Sequence, residues 1–169
     1  MATDRKNRVW VVLALLALIG ICVSVTVYEC EWVHFGENGT KLVRFRGFFR
    51  KTYVVPDGVK VIGRKAFALC YRLTTVTLPA GVTRIENEAF LGCESLTAVA
   101  LPETLEEIGD FAFGGCRRLK EITIPDSVTS IGMLAFTGCE SLESVSLPRD
   151  VKLGESVFEG CPKLKITYR

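Results

Sequence analysis

The sequence predicts an α/β repeat rich in β. It is a right-handed solenoid of five coils of about 23 residues with parallel strands, preceded by a β-hairpin cap and one transmembrane helix. Three observations predict it. Five of the six prolines, Pro56, Pro79, Pro102, Pro125 and Pro148, follow one another at steps of 23. Phe67, Phe90, Phe113, Phe136 and Phe158 keep that step until the last copy, which is one residue short, and so do Cys70, Cys93, Cys116, Cys139 and Cys161. Ahead of them all, "VWVVLALLALIGICVSVTVY" (9–28) runs twenty residues without a charge.

Residues 1–8 hold Arg5, Lys6 and Arg8 against Asp4, a basic tail that the positive-inside rule keeps in the cytoplasm. As a helix, residues 9–28 span about 30 Å, the thickness of a bilayer's hydrocarbon core. Trp10 at one end, and Tyr28 and Trp32 at the other, stand where interfacial anchors belong. A cleaved signal peptide begins in the same way. The nearest small-x-small site, Cys22-Val23-Ser24, is weak, so the run reads as an uncleaved signal anchor, with secretion after cleavage as the alternative. Either reading places the rest of the chain outside the cytoplasm.

Residues 29–49 read as a cap hairpin, because "EWVHFGENGTKLVRF" sets Asn-Gly between two alternating apolar and polar runs. Residues 50–163 divide into five repeats: 50–72, 73–95, 96–118, 119–141 and 142–163. Each opens on a short strand such as Val76-Thr77-Leu78. Proline ends it, since proline lacks the amide donor a ladder needs. The chain then crosses the back through residues such as Val82, Ile85, Ala89 and Phe90. Right-handed crossovers are overwhelmingly favoured. A single coil cannot bury its apolar face, so stacking supplies the core. The segment "LKITYR" (164–169) begins a further strand.

The unit L-x-x-V-x-L-P-x-x-V-x-x-I-G-x-x-A-F-x-x-C-x-x resembles the BspA-like leucine-rich repeats of bacterial surface proteins, with "LPxxVxxIGxxAFxxC" at its heart. The likeness covers residues 50–163 and extends into "ENGTKLVRFRG" and "VVPDGVKVIGRKAF", which are similar to segments that open such arrays. Departures are the shortened fifth repeat, Glu86 in the place of the glycine after isoleucine, and only five copies. The resemblance implies a module for adhesion or protein binding at the cell surface, with an extracellular or cell-surface protein as partner.

Catalytic chemistry finds little to work with. His34 is the only histidine, no serine or cysteine accompanies it in a nucleophile pattern, and CxxC, HExxH, P-loop and calcium-loop motifs are absent from the sequence. No enzyme activity, cofactor or metal is therefore expected. Equivalent cysteines in neighbouring coils stand about 4.8 Å apart with parallel Cβ vectors, an arrangement that suits neither a disulfide nor a tetrahedral metal site. They read as a buried ladder, and the phenylalanines as a core spine. Cys22 lies in the apolar run. Cys30 lies just beyond it, where a disulfide between two anchored chains is the functional alternative to a plain loop residue and allows a homodimer.

Two surfaces are candidates for binding. Strand alternation points Thr52 and Val54, Thr75 and Thr77, Ala98 and Ala100, Glu121 and Thr123, and Ser144 and Ser146 outward as a concave strip. It contains none of the Trp, Tyr or Arg that dominate interface hot spots. The second is a basic patch. Residues 41–72 hold nine Lys or Arg against Asp57 alone, whereas residues 73–169 hold nine basic against fourteen acidic groups. Arg44, Arg46, Arg50 and Lys51 in "RFRGFFRK" interleave with aromatics. The plain reading is a cap whose phenylalanines cover the first coil; the other is a surface for anionic head groups or cell-wall polyanions. An extracytoplasmic location argues against nucleic acid. A structural or assembly subunit that associates through its transmembrane helix and cap is the alternative to a binding module.

The anchor reading is directly testable. Membranes washed with carbonate or high salt retain the protein, and protease applied outside intact cells removes the chain beyond about Trp32. A soluble chain beginning near Val25 overturns it.

Overall fold

The computed structural model describes residues 33–47 and 49–169. The basic tail, the apolar run 9–28, Cys22, Cys30, the first residues of the cap and Phe48 lie outside these. Strand β1 (Val33–Gly36) leads through a 3-10 turn (Glu37–Gly39) into β2 (Lys41–Phe45), its antiparallel partner. Strands then alternate between two faces: β3 (Thr52–Val54), β4 (Val61–Ile62), β5 (Thr75–Thr77), β6 (Arg84–Ile85), β7 (Ala98–Ala100), β8 (Glu107–Ile108), β9 (Glu121–Thr123), β10 (Ser130–Ile131), β11 (Ser144–Leu147), β12 (Lys152–Leu153) and β13 (Lys165–Tyr168). The odd-numbered strands from β3 onward form the front face. The even-numbered strands continue the hairpin as one seven-stranded back sheet, β1-β2-β4-β6-β8-β10-β12.

Two expectations are corrected. The α/β class does not hold, since the crossings carry no helix: the turn Glu37–Gly39 is the only helical element among the described residues. Each crossing passes through a non-glycine residue in the left-handed region, namely Lys65, Glu88, Phe111, Leu134 or Ser156, with φ between 50° and 60°. An α-helix cannot run through such a residue. The coils also number six on the front face rather than five, because β13 pairs in parallel with β11, Ser144↔Lys165 to Leu147↔Tyr168, and so opens a sixth.

The core is a column. Phe67, Phe90, Phe113 and Phe136 are fully buried, with consecutive ring centroids 4.9, 5.0 and 5.2 Å apart and planes within 3° of parallel. Such offset stacking is the favoured aromatic geometry, and truncating one of these rings to alanine costs about 3–5 kcal/mol. Phe158 closes the column, 5.5 Å from Phe136 and only partly buried. Around the rings lie the inward strand residues Val76, Val99, Ile122 and Val145, and the back-sheet residues Ile62, Ile85, Ile108 and Ile131.

The hairpin serves as a zeroth coil. Leu42 pairs with Ile62 as Ile62 does with Ile85. The Phe45 amide donates to Ala66 O at 2.7 Å, the same bond that the Phe67 amide makes to Ala89 O. A bulge makes this possible. His34 pairs with Arg44 and Phe35 with Leu42, leaving Val43 as the extra residue. Strict alternation from buried Leu42 turns Arg44 inward; the bulge shifts the phase, so Val43 and Arg44 face solvent and Phe45 is buried, its centroid 5.2 Å from Phe67. Phe45 thus covers the first coil as the sequence suggests. Phe49 does not: it is 76% exposed.

Glu86, the departure from glycine, has a role in this junction. A Cβ at Gly109 or Gly132 meets a backbone nitrogen of the preceding coil at 2.6 or 2.5 Å, which explains glycine in that column. At the second coil, Glu86 Oε1 instead accepts from Lys41 Nζ of β2 at 2.6 Å, and Oε2 accepts from the Arg64 amide at 2.8 Å. Burial alone raises the Glu86 carboxyl, but the Lys41 and Arg64 hydrogen bonds outweigh it and hold it below its ordinary value.

The five repeat cysteines are free thiols, and the structure gives four of them a partner that the sequence does not reveal. The Sγ atoms of Cys93, Cys116, Cys139 and Cys161 lie 3.1–3.4 Å from the carbonyls of Phe67, Phe90, Phe113 and Phe136, one coil back. Burial pushes the Cys70 thiol up to about 11 and Cys116 up to about 12, so neither is a nucleophile near neutrality.

Two outcomes follow. Reducing agent leaves the melting temperature unchanged, and intact mass shows no disulfide among the five repeat cysteines. Cys116→Ser costs about 1 kcal/mol by denaturant melt, the low end for a buried hydroxyl, because the Phe90 carbonyl is there to accept it.

A separate outcome concerns acid. A carboxylate with a depressed folded-state pKa stabilises above its unfolded value and loses that contribution as pH falls through the folded one. Below about pH 4.5, the ordinary value for Glu86, amide exchange over Val33–Phe45 accelerates ahead of the coils. Glu86→Gln removes the pH dependence and weakens the hairpin by about 1–2 kcal/mol at neutral pH. Equal acid sensitivity in the variant sinks this account.

Candidate binding surfaces

The front face follows from strand alternation. In β5, β7, β9 and β11 the central residue is buried, and its neighbours turn to solvent. Thr52, Val54, Thr77, Ala98, Ala100, Glu121, Thr123 and Ser144 are exposed, and Thr75 and Ser146 partly so. Pairing places Thr52, Thr75 and Ala98 in one row and Val54, Thr77 and Ala100 in the next. Beyond β7 the rows are interrupted.

This front sheet is two sheets, β3-β5-β7 and β9-β11-β13. In the intact ladders the amides of Thr97 and Glu143 donate to Thr74 O and Lys120 O, and those of Val55 and Ile124 donate to Thr77 O and Ser146 O. The equivalent bonds across β7 and β9, from Lys120 to Thr97 O and from Leu101 to Thr123 O, are not made. Thr74 and Thr97 reinforce their coils by donating Oγ1 to Lys51 O and Thr74 O, a bond that Lys120 lacks; Glu143 lacks it too in an unbroken ladder, so the hydroxyl alone does not decide the break. Ala98 and Ala100 add no β-branched cross-strand contact.

The interruption opens a groove of about 430 Å³, lined by Ala98, Ala100, Leu101, Glu103, Glu121 and Thr123 among others. Four strip residues therefore share one cavity whose walls carry uncommitted main-chain donors and acceptors. Sequence reasoning did not single out Glu103, or the Leu101 and Lys120 amides. The signal available was the change from threonine to Lys120 at a repeat position.

The basic patch also divides. Arg44, Arg46, Arg50 and Lys51 are all exposed. Arg44 and Arg46 join His34 and Val43 around a groove of about 380 Å³ on the hairpin; Arg50 and Lys51 do not line it. Farther along, several basic residues are paired from coil to coil. Arg64 and Lys65 meet Glu88 at 2.9 and 3.0 Å, Arg84 meets Glu107 at 3.0 Å, and Arg117 lies between Glu94 and Glu140. Arg44, Arg46 and Lys51 make no ion pair among the described residues. Nor, among those residues, do three His, Cys, Asp or Glu side chains converge as a metal site requires, and none of the described residues form a helix long and apolar enough to cross a membrane.

Comparison with known proteins bears on what these surfaces belong to. The BspA type leucine-rich repeat region matches residues 48–168 in six copies. No curated protein matches the chain. A leucine-rich cell surface protein of Faecalibacterium prausnitzii is similar at 35% identity and a TM-score of 0.74, over 80% of this chain and 37% of that one. The leucine-rich-repeat protein of T. pallidum is similar at 33% identity and a TM-score of 0.74, over 83% and 70%. The pneumococcal vaccine antigen PcpA is similar at 27% identity and a TM-score of 0.68, over 81% and 35%. The chain thus spans little more than a third of the first of these proteins. With the repeat matched in six copies and the parallel coils in place, the chain belongs to the BspA-type leucine-rich-repeat family.

Proposed function

We propose that this protein is a membrane-anchored, extracytoplasmic solenoid that binds a protein partner through its front face and catalyses no reaction. The observation that carries the reading is the groove between β7 and β9. There, small side chains let a partner approach, and uncommitted main-chain groups offer it hydrogen bonds. Recognition through main chain needs no aromatic hot spots, which suits a strip of Thr, Ser and Ala. The surface location has support from the sequence of residues 9–28 and from the Faecalibacterium relative, itself a cell surface protein.

The second reading is a subunit that assembles through residues 9–28 and the hairpin. It draws support from the hairpin's integration into the stack as a zeroth coil. An assembly subunit loses its partner when residues 1–30 are removed, whereas a front-face binder keeps it.

The full chain, recovered with its partner from its own cells, provides the test. Arginine substitutions at Thr77, Ala100 and Thr123 abolish co-purification while leaving the melting temperature within a few degrees of the parent, since all three are exposed. If they change nothing, and neutralising Arg44, Arg46, Arg50 and Lys51 does, the cap is the working surface.

A further inference from the structure

We infer that the outer surface of the hairpin is a docking face for the phosphodiester head groups of an anionic bilayer. It holds the first coil against the membrane in which the chain is anchored. The inference rests on the anchor reading of residues 9–28 and goes beyond the front-face binding proposed above.

Three independent features converge on it. The first is the bulge at Val43, which turns Arg44 outward beside Val43 instead of into the core. Together with Arg46 and His34 it forms a groove of about 380 Å³ with two arginines and an imidazole on its rim. The second is charge balance. The arginines at 64, 84 and 117 meet a glutamate from a neighbouring coil, but Arg44 and Arg46, side by side on one groove, meet none among the described residues. The guanidinium fork suits a phosphodiester, to which it donates in pairs.

The third is apolar. Phe49, between Arg46 and Arg50 in the sequence, is 76% exposed, the most exposed large hydrophobic side chain among the described residues, and Val43 on the groove rim is 38% exposed. A purely ionic site for a soluble anion has no use for an exposed phenylalanine among cations. An interface does, because the ring enters the boundary between head groups and acyl chains while the cations stay with the phosphates. Reach is satisfied as well. Only residues 29–32 separate the apolar run from β1, a span of at most about 17 Å. That keeps the hairpin near the bilayer surface, where each Lys or Arg contributes about 1 kcal/mol of attraction.

The test uses the full chain in vesicles, with Phe49→Trp as a depth probe read against the parent, which contains Trp10 and Trp32. Vesicles of brominated phosphatidylcholine alone are compared with the same lipid carrying 30 mole per cent, by design roughly the anionic content of a charged membrane, of phosphatidylglycerol. Excess quenching of the probe over the parent appears in the anionic vesicles, is weak in the neutral ones, and fades as salt rises. Arg44→Gln with Arg46→Gln lowers the docked fraction by about 30-fold in equilibrium constant, from about 1 kcal/mol per arginine at 1.4 kcal/mol per tenfold. Far-ultraviolet circular dichroism confirms the fold, and a charge-conserving Arg→Lys pair retains most of the effect.

Equal quenching in neutral and anionic vesicles overturns the proposal. So does an unchanged signal in the folded glutamine variant, or suppression by millimolar inorganic phosphate, which marks a soluble-anion site instead. A chain that washes out of the vesicles with carbonate defeats the anchor reading. A chain that stays with its probe unquenched defeats only the docking face.

Discussion

The stack depends on one repeated bond, the amide of each spine phenylalanine donating to the carbonyl of the residue just before the next phenylalanine. From Phe45 to Ala66 and on through Phe67, Phe90 and Phe113, it recurs at 2.7 Å. It fixes the rise of a coil where the rings overlie one another, so backbone and aromatic geometry demand the same step of about 5 Å. Everything else is fitted to that rise. Glycine follows isoleucine in most copies because a Cβ there meets the backbone of the coil before it. The cysteines sit where a small apolar group with a weak donor can reach the carbonyl of the spine phenylalanine one coil back.

An end of such a stack presents unpaired amides and an open ring face, and this chain resolves its N-terminal end by imitation. The hairpin has a different sequence from the repeat, yet it delivers a leucine, a phenylalanine and one amide to the places where a preceding coil would put them. One extra residue, Val43, makes the phases agree. The same residue exports Arg44, so capping the core and charging the outer surface are a single structural event. Glu86 then fastens the hairpin to the second coil through Lys41, at the copy where the glycine rule is relaxed.

What the sequence revealed and what it withheld divide along a physical line. The period, the strand positions, the phenylalanine column, the buried cysteines and the outward rows all repeat within a copy, so five copies confirm one another. The features it withheld lie between elements that do not repeat. The phase shift at Val43 is a relation between two hairpin strands, and the Glu86–Lys41 bond joins positions 45 residues apart. The break between β7 and β9 lies at one junction among several. The non-helical crossings were withheld for another reason. Alanine and phenylalanine favour no backbone here that announces a left-handed residue, and Phe111 and Leu134 adopt it because the coil must turn. The sixth coil was visible as a strand in "LKITYR", but its pairing with β11 had to be seen.

The unequal continuity of the two faces has a mechanical consequence. The back sheet crosses every junction, β6 to β8 to β10, while the front ladder stops between β7 and β9. At that junction, resistance to bending comes from the back sheet, the Phe113–Phe136 ring pair and the turn bonds such as Phe113 N–H to Ala135 O, without a front ladder, so the array is most compliant there and in one direction, toward opening the front. A tensile load between its ends concentrates as curvature at this seam, before any of the fully bonded junctions yields.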